Sequence, residues 1–156
     1  MVLIILTYFL QNDSLSYQVW QELNLLRSQP KQYITILENY KNEFKGYYKR
    51  KNGHYSLLTL EGTDAVDEVI NELNELDELP RLRFSNALSK AAQDHVDDQS
   101  ISGETGHEGS DGLYSEQRAR RYGQWQRTIG ENIHYGSDSA REIVISLLVD
   151  DAILDR

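Results

Sequence analysis

Cysteine is absent from the chain. That excludes disulfides and thiolate metal sites, and it leaves the redox compartment unread. Long apolar runs are also missing. Met1–Leu10 (MVLIILTYFL) is apolar but far shorter than the roughly 20 residues a membrane span needs. Two readings of it stand side by side. It is the apolar part of a secretory signal, with the small residues Ser14 and Ser16 placed for cleavage after Ser16 but no basic leader before it, or it is an ordinary strand or helix that docks on the core. Positive charge is scarce too: the formal net charge is −9, which argues against a nucleic-acid-binding face. The two prolines, Pro30 and Pro80, each mark a boundary between periodic segments. There is no phosphate loop, no dinucleotide fingerprint and no HExxH helix. Asp111-Gly112 lacks the alternating acids of a calcium loop, and the glycines around Ser110 are wrongly spaced for a nucleophile elbow.

What is present describes a globular protein. The 156 residues suit one domain, and 39% hydrophobic with 26% charged content is too apolar for a disordered chain. The acid is uneven. Glu61–Leu79 holds eight carboxylates and no Lys or Arg, which reads as a solvated helix face before it reads as a cation-binding surface. Lys41–Lys51 and Arg118–Arg127 form the basic counterweight.

Helical periodicity dominates. The spacing predicts a helix over Tyr17–Ser28, with Trp20, Leu23 and Leu26 or Arg27 on one side. A second runs over Lys31–Phe44, with Tyr33, Leu37, Tyr40 and Phe44 aligned. Asn52-Gly53 within Gly46–Leu60 suggests a hairpin or a long loop. Thr63 is placed to cap a helix through Val66, Val69 or Ile70, Leu73 and Leu76, and Ser85 to cap one carrying Leu88, Ala92, His95 and Val96. Leu113–Tyr122 reads as a short arginine-rich helix and Thr128–Tyr135 as the best strand candidate. Ser139–Leu154 reads as a helix opened by a Ser139/Glu142 capping box, with Ala140, Ile143, Val144, Leu147 and Leu148 on its stripe.

Chemistry concentrates between Gly106 and Gly136, where glycines alternate with a histidine, aromatics, arginines and a carboxylate. Glycines so dense suit turns and close backbone approach rather than a packed core. His107 is either a surface histidine in a turn or a metal ligand or proton carrier. Glu131, between Gly130 and Asn132, either holds its loop by accepting backbone N–H bonds or serves as the acid of a cavity. Asp151 continues the last apolar stripe, so it is a fraying helix end or a partly buried carboxylate that needs a partner. His95, on an apolar stripe, reads as a core or rim histidine, and His54 and His134 carry little signal.

Five segments in this order, Leu88–Gln99, Thr105–Gly112, Arg118–Gly123, Gly130–Gly136 and Arg141–Arg156, resemble the CAP superfamily of cysteine-rich secretory, antigen 5 and pathogenesis-related proteins. The likeness is greatest to its cysteine-free, SCP-like microbial branch. It implies an α+β fold, an α-β-α sandwich with a cleft lined by two histidines and two acids. Residue by residue, it assigns the first cleft histidine to His107, the glutamate of the Gly-Glu-Asn motif to Glu131 and the second acid to Asp151, which is shorter than the usual glutamate. His107 and Glu131 are then the candidate metal ligands and, with Asp151, the candidate catalytic groups. Residues 1–16 form a signal peptide or N-terminal extension, and 17–156 the N-terminal part of the domain. The Gly-His-Arg segment with the second histidine, and the main sheet strands, would follow Arg156, so this chain is expected to be mostly helical, to bind zinc poorly and to need no cofactor. It is also expected to be a fragment, a split gene product or a chain completed by a partner.

Three functions are consistent with this. The first is a non-enzymatic module for a lipid, glycan or protein ligand, outside the cell as the resemblance implies, or inside it if Met1–Leu10 is retained. The second is a structural or assembly scaffold built from a degenerate half-domain. The third is a metal-assisted hydrolase with Glu131 as base.

Overall fold

The computed structural model describes residues 14–51 and 53–151. The signal-like Met1–Leu10, Asn52 and the segment after Asp151 lie outside the described residues. The chain divides into two compact units, residues 1–82 with 136–156 and residues 83–135.

The first unit carries helices α1 (Leu15–Ser28), α2 (Pro30–Lys41) and α3 (Asp64–Glu75), strands β1 (Phe44–Lys45), β2 (Tyr48–Lys51) and β3 (His54–Leu58), and helix α6 (Ala140–Val149). Ser14 caps α1, its hydroxyl accepting from the Tyr17 amide at 3.3 Å. Pro30 opens α2 at its first turn, where its missing N–H is no loss. The core is built from Tyr33 and Leu37 of α2, from Ala65, Val66, Val69, Ile70 and Leu73 of α3, and from Val144, Ile145 and Val149 of α6. The α3 residues recur at one-, three- and four-residue steps, which places them on one helical face. Each buried Val, Leu or Ile contributes about 1.5–3 kcal/mol relative to exposure.

Two features of this unit are polar. Asn24, fully buried on α1, donates from Nδ2 to the Leu82 carbonyl at 3.2 Å and accepts from the Leu82 amide at 2.6 Å. The Leu79 amide donates to the Arg27 carbonyl at 2.7 Å and Arg27 Nε donates to the Pro80 carbonyl at 3.1 Å, so the stretch after α3 is stitched along α1. The three strands form an antiparallel sheet in the order β1-β2-β3. The hairpin expected around Asn52-Gly53 is present, Lys51 pairing with His54 across the turn.

The second unit holds α4 (Asn86–Ser102) and α5 (Ser115–Arg120). Ser85 caps α4 as expected, accepting from the Leu88 amide at 3.3 Å.

Several local expectations need correction. Helix α2 stops at Lys41, and Phe44 enters β1 instead of extending the helical stripe. Thr63 makes no side-chain cap: its own backbone is already helical (φ −82°, ψ −10°), and the first turn of α3 has Asp64 and Asp67 facing the helix dipole instead. The Ser139/Glu142 box does not form, because the Glu142 carboxylate accepts from the Ser137 hydroxyl at 2.8 Å, which in turn accepts from the Ser139 amide at 3.2 Å. On α4 the covered face carries Ala91 and His95, whereas Leu88 and Val96 are about half exposed (49% and 57%). Thr128–Tyr135 is not a strand: it has no ladder partner among the described residues and is held by side-chain bonds from Glu131 and Tyr135. Helix α6 ends at Val149, with Asp150 in the left-handed region (φ 44°).

Taken over the described residues, the fold is mostly helical, with six helices and one small antiparallel sheet, an α+β arrangement.

Candidate functional site

The polar face of α4 positions the glycine loop that follows it. His95 Nε2 and Gln99 Nε2 both reach the Gly106 carbonyl at 2.9 Å. A carbonyl only accepts, so His95 carries its proton on Nε2, and its buried Nδ1 has no hydrogen-bond partner among the described residues. The Gly106 amide donates to the Tyr135 hydroxyl at 2.9 Å. Gly106 sits at φ 107°, a conformation closed to ordinary side chains. One turn further along α4, Asp98 accepts from the Ser110 amide at 2.8 Å and from its hydroxyl. Gly109 lies so close to this network that a Cβ would stand 2.9 Å from Asp111 Oδ1 and 3.3 Å from Asp98 Oδ2. Hydrogen bonds from Ser110, side chain first, hold the Asp98 carboxyl below its ordinary value, and those from the Leu113 amide and Arg121 do the same for Asp111.

This anchored loop presents His107. Its Nδ1 lies 3.0 Å from Glu131 Oε2, so Nδ1–H donates to the carboxylate and Nε2 faces outward on a half-exposed ring. Glu131 is itself largely covered, and Arg118 of α5 lies behind it, 3% exposed. Arg118 Nη2 donates to both Glu131 oxygens, at 2.7 and 2.9 Å, and Nη1 donates to the carbonyls of Leu113 (2.6 Å) and His107 (3.1 Å). One guanidinium therefore fixes the carboxylate and the loop. Burial alone would raise the Glu131 carboxyl. The hydrogen bonds from Arg118 and His107 and the Arg118 charge outweigh it and hold the group below its ordinary 4.5.

Arg118 lines two hollows of this unit. One, about 340 Å³, is edged by Asp94, Asp97, Asp98 and Asp111 with Ser110 and Arg121. The other, about 220 Å³, is largely apolar, with Leu88, Ala91, Ala92, Ala119 and Ile129 beside Glu131 and Asn132.

Of the residues named from the sequence, His107 and Glu131 meet. Asp151 belongs to the first unit and is neither unpaired nor fraying: Oδ2 accepts from the Leu60 amide at 2.8 Å and Oδ1 from the Glu61 amide at 2.9 Å. It ties the end of α6 to the turn that enters α3. Arg118 was not among the predicted site residues. Arg118 and Arg120 both flank Ala119 on the short helix, so nothing in the sequence singled out Arg118. Among the described residues, no group of three or more His, Asp or Glu side chains is placed to hold a metal ion.

A family model described as CAP, Cysteine-rich secretory protein family, matches residues 68–154. The chain belongs to the CAP family. Its match runs from α3 through the His107 loop, Arg118 and Glu131 to the end of α6, so it takes in every candidate site residue. Membership in a family named for cysteine does not require any here, since this chain has none. No curated protein and no solved structure matches significantly. Among the described residues no helix is long and apolar enough to cross a membrane.

Proposed function

We propose that this CAP-family chain is a non-enzymatic binding module whose ligand, a lipid, glycan or protein, is met by His107 and the hollows beside it. The observation that carries this reading is the state of Glu131. Both its oxygens are occupied by a buried arginine and one also by His107. A general base works best with a pKa near the working pH, and this carboxylate is held low, with three hydrogen bonds on the roughly four acceptor positions a carboxylate has. What the site offers instead is an oriented imidazole. With Nδ1–H donated to Glu131, Nε2 is left for hydrogen bonding to a ligand hydroxyl or amide. The apolar hollow beside Ile129 supplies a complementary surface for a hydrocarbon or ring face.

The donor set does not make a zinc centre. A closed site wants about four ligands. Here Glu131 is spent on Arg118 and His107 keeps a single outward nitrogen, so no step is routed through a metal and none is required. Secretion follows from the family as an expectation, as does the α-β-α sandwich. The scaffold reading remains the alternative, favoured by the apolar side chains exposed on the hairpin.

The test is a screen of the purified chain against fatty acid, sterol, glycan and protein panels, with His107→Ala and Ile129→Asp as controls. Binding that His107→Ala weakens while the melting temperature holds supports the module. Binding to nothing in any panel, or ester hydrolysis that depends on Glu131, overturns it.

A further inference from the structure

From Lys45 to Leu60 the chain holds four Lys or Arg residues and no carboxylate, in a protein of formal charge −9. The fold gathers this segment into the sheet and sorts its side chains between two faces. Cross-strand partners share a face. Lys45 pairs with Tyr48, Tyr48 with Leu58, and Arg50 with Tyr55, and the Arg50 guanidinium lies 5.3 Å from the Tyr55 ring centroid. The opposite face carries Lys49, paired with Phe44 and Leu57; Lys49 is buried with its ammonium 4.5 Å over the Tyr40 ring of α2. The irregularity between Lys49 and Arg50 leaves Ser56 without a partner on β3, so β2 keeps its alternation. On the Lys49 face, Lys49 and Phe44 pack on Tyr40 of α2 and Leu57 stays 43% exposed, while the other face presents Tyr48 (49% exposed), Tyr55 (42%) and Leu58 (59%) flanked by Lys45 and Arg50.

We infer that this outer sheet face docks on an anionic lipid surface. Charge complementarity selects the partner's sign, since the face is wholly basic. Tyrosines suit the polar–apolar boundary of a bilayer, where a ring can sit with its hydroxyl in water, and leucine suits the acyl region just beneath. A single-stranded nucleic acid would also use cations and aromatics. Leu58, however, beside Tyr48 on the edge strand, offers a base no stacking surface. This face belongs to the first unit, so the proposal is independent of the His107 site and goes beyond the module reading.

The experiment is co-sedimentation of the full chain with phosphatidylcholine vesicles containing phosphatidylserine, against phosphatidylcholine vesicles alone, at low and high salt. Arg50→Glu and Lys45→Glu are compared with Lys90→Glu, the same charge change on exposed α4, and each variant's fold is checked by circular dichroism. Binding is expected to the serine-containing vesicles only and to weaken with salt. Either face variant should lower partitioning at least about fivefold, and Lys90→Glu should leave it nearly unchanged. If Arg50→Glu fails to fold, Lys45→Glu decides. The proposal is overturned by absent binding at low salt, or by an equal loss in Lys90→Glu. It is equally overturned if the face variants abolish binding of an oligonucleotide or self-association while no vesicle is bound.

Discussion

One nitrogen of Arg118 reaches both carboxylate oxygens of Glu131, at 2.7 and 2.9 Å, while the other terminal nitrogen holds the carbonyls of His107 and Leu113. The pair is buried on the arginine side. Removing Arg118 would leave a covered carboxylate without its cation and two carbonyls without donors. Arg118→Ala is therefore expected to destabilise the fold by about 3–5 kcal/mol in urea titration. Arg118→Lys, with a charge but no planar fork, should recover only part of that.

The same pair sets an acid dependence. The Glu131 carboxyl is lower in the folded chain than its ordinary 4.5. Its contribution to stability is therefore fully present above that value and is lost as pH falls through the folded value. Asp98 and Asp111 are shifted in the same direction, so the total acid slope has several sources. The Glu131→Gln variant isolates one. The stability difference between wild type and Glu131→Gln is expected to be largest near neutrality and to shrink as pH falls below the carboxylate range, read from urea midpoints across that window.

Asn24 gives a separate test of the first unit. Its side chain is completely buried and makes a two-way hydrogen-bonded pair with the Leu82 backbone. Asn24→Leu keeps the volume and leaves the Leu82 amide without its acceptor, while the Leu82 carbonyl keeps the Trp20 Nε1 donor at 3.1 Å, a loss of about 1–3 kcal/mol. Asn24→Asp keeps the acceptor but sets a buried carboxylate oxygen against the Leu82 carbonyl, and should cost at least as much as Asn24→Leu. Thermal melts in one buffer rank the three chains.

Asp151 predicts a smaller effect of the same kind. Its two oxygens accept from the Leu60 and Glu61 amides just before α3. Hydrogen bonds to a charged acceptor contribute about 1.5–3 kcal/mol when sheltered, and this group is only half-buried, so Asp151→Ala should cost about 1–2 kcal/mol. Asp151→Asn keeps one acceptor oxygen and about half the effect. Hydrogen exchange at the Leu60 and Glu61 amides checks the mechanism: both should exchange faster in Asp151→Ala.

What the sequence disclosed follows a physical line. Apolar side chains with a clean period were legible: Val66, Val69, Ile70 and Leu73 lie in the core as their spacing required, and so do Tyr33 and Leu37. Ser85 was legible because its cap bond is local. Asn24 was not, since its burial depends on a carbonyl and an amide of Leu82, far along the chain. Thr128–Tyr135 had strand-like residues but no strand among the described residues to pair with, and strand propensity cannot supply a partner. His107 and Glu131 stood out in their glycine-rich segment and the family pattern brought them together, whereas Arg118, which joins them, was visible only once α5 had a buried side. The residues of α4 that matter most, His95, Asp98 and Gln99, lie on a helical face that is polar because it binds a loop, and an apolar period could not reveal it.

Whether the site binds or catalyses rests on Glu131, and the titration of that one carboxyl reads it directly. Carbon-13 NMR of glutamate-labelled chain, assigned with Glu131→Gln, follows its side-chain carbonyl against pH. A midpoint below 4.5 that moves upward in Arg118→Lys is the expected result. A midpoint raised toward neutrality, unchanged by Arg118→Lys, would mark a carboxylate free to act as a base and would contradict the binding-module reading.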